Sequence, residues 1–184
     1  MEILVLNGSP RKNGNTTILV AEFAKGAAEK DHHVTEVRIY DRRISGCIAC
    51  DGCKKEEATL CVVKDDFQAL MEQIHKADCM MLATPVYFGQ ISGPLKCVLD
   101  RFYCFFSKDY SVRVIKGKKL LTLTVSGAPE DAFADISDYL KTWLVDFGKM
   151  EMMGSVVAGG AGEAGSITAD KKAMESAREL GRKL

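Results

Sequence analysis

Residues 3–17 read I-L-V-L-N-G-S-P-R-K-N-G-N-T-T. Ile3–Leu6 is a short apolar run of the length of a buried strand. It passes directly into a loop of hydroxyls, amides and glycines, and then into a helical pattern. A strand that feeds a helix in this way opens a βαβ unit. The N-terminus of such a helix carries unsatisfied backbone N–H groups and a partial positive charge, so a phosphate fits there. Ser9, Asn13, Asn15, Thr16 and Thr17 add side-chain donors, and Arg11 adds a charge. Without a ligand the same loop reads as a polar turn with a good N-cap.

Two phosphate motifs are absent. There is no G-x-x-x-x-G-K-[ST], so no lysine is marked for a nucleoside triphosphate. There is no G-x-G-x-x-G, so the dinucleotide fingerprint is missing. A monophosphate held by hydroxyls and amides remains, and FMN is the common cofactor that ends in one.

Outward from this loop, apolar runs alternate with helical periodicity. Strands are expected at 2–7, 33–40, 79–84, 119–126 and 152–158, and helices at 16–30, 66–77, 92–106, 132–149 and 168–183. The alternation implies right-handed crossovers and a parallel sheet covered on both faces. Five strands favour a flavodoxin-like, doubly wound α/β fold with its ligand at the carboxyl ends of the strands. Loops 8–16, 85–91 and 126–131 then matter most. The chain has 184 residues, which suits a single domain. Its formal net charge is zero, so no field draws it to nucleic acid or anionic membrane. No apolar run has the length of a membrane span, and Met1-Glu2-Ile3 has no basic leader region. A cytoplasmic location is the expectation.

Residues 84–89 read T-P-V-Y-F-G. Pro85 is expected to end the third strand and fix the turn, and Gly89 to permit a positive φ or a close approach. Tyr87 and Phe88 put two aromatics at the expected ligand edge, where a flat ring needs a wall. Alternatively, both pack under the loop or against a second subunit. Ser126 and Gly127 end the fourth strand and leave room for a ring.

Cys47, Cys50, Cys53 and Cys61 form C-x-x-C-x-x-C-x7-C inside 41–64, a stretch without clear periodicity and too long for an idle connector. Cys₄ ligation suits an iron–sulfur cluster or tetrahedral zinc. The short steps favour a 4Fe-4S cluster, because zinc more often takes two separated C-x-x-C pairs. Free, redox-active thiols are the alternative. Structural disulfides are not expected from an odd total of seven cysteines in a reducing compartment. Cys79, Cys97 and Cys104 fall in expected strand or helix and read as core. Lys54 and Lys55 offset the negative charge of a cluster. Asp65-Asp66 reads as a helix N-cap. Trp143, Tyr139 and Phe147 form a core or subunit-packing stripe, and Asp100-Arg101 bridges elements. His32, His33 and His75 have no partner at ligand spacing. No acid–base pair stands out, so no catalytic side chain is assigned.

The chain resembles the iron–sulfur flavoproteins within the flavodoxin-like NAD(P)H-dependent FMN reductases. The resemblance rests on G-S-P-R-x-x-G-N-T at 8–16, the cysteines at 47–61 and A-T-P-V-Y-F-G-Q-I-S-G-P-L-K-C-V-L-D-R at 83–101. It is close over residues 1–107. It implies FMN phosphate at Ser9, Arg11, Asn13, Asn15, Thr16 and Thr17. It implies the flavin ring at Pro85, Val86, Tyr87, Phe88 and Gly89, and at 126–128. It implies dimers or tetramers, with flavin sites near subunit interfaces. Cluster-bearing members use four compact cysteines as ligands. The chemistry implied is hydride delivery from NAD(P)H to flavin N5, with electrons passed on to a small-molecule or protein acceptor, directly or through a cluster. An FMN electron carrier reduced by ferredoxin, and a cysteine-based metal or redox sensor, are the rival readings.

Overall fold

A computed structural model describes residues 1–55 and 60–184 of the chain. Residues 56–59, within the cysteine-rich stretch, lie outside the described residues. The elements run β1 (Glu2–Asn7), α1 (Asn15–Ala28), β2 (His33–Arg38), α2 (Phe67–Lys76), β3 (Cys79–Tyr87), β4 (Gln90–Ile91), α3 (Gly93–Arg101), β5 (Lys119–Val125), α4 (Ala134–Lys141), β6 (Glu151–Ala158) and α5 (Lys171–Arg182). Five strands pair in parallel in the order β2-β1-β3-β5-β6. Among the parallel strands alone this is the 2-1-3-4-5 order of flavodoxin-like sheets, with the switch point between β1 and β3.

Alternation along β1 builds both faces of the core. Ile3 and Val5 join Phe23 of α1 and Leu180 of α5 on one face. Leu4 and Leu6 join Ile74 of α2, Leu95 of α3 and Leu140 of α4 on the other. Strands buried on both faces need near-continuous apolar runs, as β1 and β3 have. Helices α1 and α5 meet backbone to backbone. A Cβ on Gly26 would overlap the carbonyl of Arg178, and one on Gly181 would overlap that of Phe23. Glu29 clasps the same pair. Hydrogen bonds from Arg182 and Arg178 bring its pKa down to about 2.

Several boundaries differ from expectation. The second strand ends at Arg38, and a 3-10 turn takes Ile39–Asp41. The third helix stops at Arg101 and passes into a 3-10 turn over Phe102–Phe105. The fourth continues from α4 into a π-helical turn over Thr142–Phe147. The fifth is preceded by a 3-10 turn over Ser166–Ala169.

Pro85 does not end β3, which runs on to Tyr87 and pairs Pro85 with Val125. The carbonyl of Ala83 faces β1, where it accepts from Gly8 N. Two residues on, Pro85 faces the same side, beyond the last residue of β1. Its missing N–H therefore costs no ladder bond. β3 then folds back on β4 through Phe88-Gly89, with φ of 51° and 74°. Positive φ at both central residues is the signature of a type I′ hairpin.

Candidate functional site

The loops 8–14, 85–91, 126–131 and 159–166 gather at the carboxyl edge of the sheet, where the strand order reverses. The first is built from Asn7, a fully buried residue at the end of β1. Its Oδ1 accepts from Ser9 N (2.8 Å), and its Nδ2 donates to Thr17 Oγ1 (3.1 Å) and Glu36 Oε1 (2.6 Å). Arg38, ending β2, reaches Thr17 Oγ1 and the Pro10 carbonyl, each at 3.4 Å. Thr17 Oγ1 donates to the Arg11 carbonyl. The loop shape is thus fixed by side chains behind it.

The ligand-free expectation of a good N-cap is overturned. Gly14 occupies the N-cap of α1, and among the described residues no side-chain cap hydrogen bond is made there. Uncapped donors facing a polar loop suit an anion. Gly8 sits against the start of α3. A Cβ there would lie 2.5 Å from Ser92 Oγ and 2.9 Å from Leu95 Cβ. Ser92 itself is buried at the N-cap of α3, and its hydroxyl has no hydrogen-bond partner among the described residues.

The phosphate-loop residues divide. Ser9 is buried, with Oγ against the Arg11 backbone. Thr16 is buried, and Arg11 and Asn13 are exposed. Asn15 faces another way. Its Nδ2 donates to the carbonyls of Ala161 (2.8 Å) and Glu163 (2.7 Å), and its Oδ1 accepts from Gly165 N (2.8 Å). Its carboxamide ties the glycine-rich loop after β6 to the start of α1.

That glycine-rich loop also docks on 126–128. Ala161 N donates to the Ser126 carbonyl, and Gly160 N to that of Ala128. A Cβ on Gly127 would approach Gly162 Cα to 3.3 Å. Small residues at 126–128 therefore accommodate a neighbouring loop. In the hairpin, Pro85 and Val86 are half-buried, Tyr87 is exposed, and Gly89 approaches Phe133. Phe88 is wholly exposed at the tip, so it does not pack under its own loop.

Cys47, Cys50, Cys53 and Cys61 all line one small cavity of about 20 Å³, with Arg101, Tyr103 and Cys104. Ala49 and Asp51, one in each C-x-x-C step, are left-handed with φ of 51° and 52°. These turns bend the chain between successive cysteines at a cost in strain. Gly52 packs on Val62 and closes the loop on itself. Among the described residues, no three His, Cys, Asp or Glu side chains form a set that holds a metal ion. The donor chemistry nonetheless fits a thiolate-bound cluster, with four cysteines around one cavity. Lys54 is committed to the 102–106 turn, donating to the carbonyls of Tyr103 (2.7 Å) and Phe106. Burial pushes the Cys53 thiol up, and pushes Cys79 and Cys104 to about 12. The last two are neutral core thiols, whereas Cys97 is half-buried.

Asp65 does more than cap α2. Its carboxylate accepts from Phe67 N, Ser45 N and the Arg101 guanidinium. Burial works to raise its pKa, but these bonds outweigh it and hold the carboxyl below the usual range.

The chain matches the family described as NADPH-dependent FMN reductase over residues 1–164. It belongs to that family. The chain is similar to an iron–sulfur flavoprotein of Methanocaldococcus jannaschii, 29% identical over 186 residues, covering 100% of this chain and 95% of the relative. An iron–sulfur flavoprotein of Methanosarcina thermophila is 27% identical, covering 100% and 93%. Among solved structures, the NAD(P)H:quinone oxidoreductase from Methanothermobacter marburgensis superposes with a TM-score of 0.75 at 20% identity, covering 99% and 96%. An azoreductase from Bacillus anthracis gives 0.72 at 16%, covering 100% of both chains. As a member of the FMN reductase family, the protein is a flavin oxidoreductase with the flavodoxin-like fold. Among the described residues, no helix is long and apolar enough to cross a membrane.

Sequence reading missed Asn7, Arg38 and Ser92. An amide closing an apolar strand, as Asn7 does, was the available signal. Arg38 and Ser92 reach the loop only through tertiary contact.

Proposed function

We propose that the protein binds FMN at the carboxyl edge of the sheet, accepts electrons from NAD(P)H, and passes them to a small-molecule or protein acceptor. The uncapped N-terminus of α1, inside a loop shaped by Asn7, Thr17 and Arg38, is the observation that carries this reading. Arg11, Asn13, Ser9, Thr16 and the first-turn N–H groups hold the phosphate. The backbone of 85–89 and the 126–128 turn border the ring. Bound FMN supplies the hydride and electron chemistry. The chain binds and orients it, and no side chain acts as acid or base.

The four cysteines around one cavity support a 4Fe-4S cluster as the next electron carrier. Exposed Phe88, Trp143, Phe147 and Tyr110 support assembly into a homodimer or homotetramer. Anaerobic mixing of FMN-loaded protein with NADH or NADPH tests the donor. Bleaching of the flavin band, followed by turnover with a quinone or azo dye, is expected. Neither nicotinamide being oxidised, beside fast reduction by ferredoxin, contradicts the reading and leaves an electron carrier.

A further inference from the structure

One side chain closes the cysteine loop. Arg101, in the last turn of α3, is fully buried. Each of its five N–H donors has an acceptor. Nε donates to Cys61 Sγ (3.1 Å). Nη1 donates to the Ser45 carbonyl (3.0 Å) and Asp65 Oδ2 (2.9 Å). Nη2 donates to the Val63 carbonyl and Asp65 Oδ1, both at 3.3 Å. The guanidinium stacks 4.5 Å from the Phe67 ring centre. Ser45 precedes the first of the four cysteines, and Val63 and Asp65 follow the last. A single rigid fork therefore joins both ends of the loop and touches the sulfur of the last cysteine.

These contacts have separate consequences. The carbonyl and carboxylate bonds position the loop. The Nε–H acts on sulfur, where a donor stabilises added negative charge; hydrogen bonds to sulfurs are one of the settings of a cluster's reduction potential. Asp65 offsets the guanidinium charge. Lysine cannot substitute, because its ammonium is a point charge without the planar fork.

We propose that Arg101 is the positioning residue of the cysteine centre, holding Cys61 in the ligand set and favouring the reduced state of a bound cluster through the Nε–H to Sγ hydrogen bond. This rests on the reading of the four cysteines as cluster ligands.

The test uses the full chain with FMN, as wild type, Arg101→Lys and Asp65→Asn, reconstituted anaerobically with iron and sulfide. Iron per chain, iron loss to a chelator and the cluster midpoint potential are measured. Arg101→Lys is expected to bind iron roughly 10- to 100-fold less tightly, the usual cost of losing an outer-shell partner. Its cluster potential is expected to be more negative, with FMN content unchanged. Asp65→Asn leaves Arg101 in the chain and removes the offsetting charge, so its potential is expected to be more positive. Wild-type iron retention and potential in Arg101→Lys would overturn the proposal and leave the cluster reading standing. If Arg101→Lys does not fold, as judged by FMN content, Asp65→Asn decides: no shift, or a negative one, overturns it. A wild-type chain that takes up no iron removes the cluster reading and this proposal with it.

Discussion

At the scale of single residues, the first loop works through small contacts whose removal has a signed effect. Gly8 has no room for a side chain, because Ser92 Oγ and Leu95 Cβ occupy the space. Gly8→Ala must push α3 from the loop, at a cost of about 1–3 kcal/mol. A thermal melt should show a fall of roughly 2–12 °C for a domain of this size, and an unchanged melting temperature would mean that α3 yields freely. Arg11 is exposed and holds the loop through its backbone, whereas Thr16 is buried at the helix start. Arg11→Ala with Thr16→Ala should weaken FMN binding at least about tenfold, as expected for losing a charge-assisted bond. Fluorescence titration reads this, and undiminished affinity would move the phosphate elsewhere. Asn15→Ala belongs to a different class. Its carboxamide holds the loop after β6, so its loss should loosen 159–167 in hydrogen exchange.

At the scale of elements, the cysteine loop is pinned at both ends, and Lys54 ties its middle to the 102–106 turn. Arg43 N donates to Asp66, and Ser45 N and Arg101 donate to Asp65. Because the Asp65 pKa is depressed in the folded chain, its contribution is fully present above the unfolded carboxylate value near about 4 and is lost as pH falls through the folded value. The hydrogen-exchange protection factor over 43–55, taken against the intrinsic rate at each pH, should therefore be steady from neutrality to about pH 4 and fall below it. A loss of protection already between neutrality and pH 5 would assign the pinning to another group. The strands and their parallel order were legible because β1, β3 and β5 are apolar runs bounded by polar loops. The hairpin at 86–91 was not, since Phe88 carries a positive φ that its side chain does nothing to advertise. The apolar spacing of the fourth helix persists across the π turn at Thr142–Phe147, so the sequence alone predicts one continuous helix through 149.

At the scale of the whole molecule, the sheet presents its carboxyl edge to four loops, and the cysteine loop docks beside α3 through Arg101. The motifs at 8–16, 47–61 and 83–101 announced both places. Their connection through a buried arginine was legible only as a bridging Asp100-Arg101 pair, because burial is not written in sequence. The stripe of Tyr139, Trp143 and Phe147 divides: Tyr139 is half-buried against the core, whereas Trp143 and Phe147, edge to face at 5.7 Å, are exposed. FMN binding at this edge of the sheet is read most directly from the visible spectrum of anaerobically purified protein, with flavin, iron and sulfide assayed on the same sample. About one FMN per chain is expected, with added absorption and about four irons from the cysteine centre. No flavin bands, even after incubation with excess FMN, would contradict it.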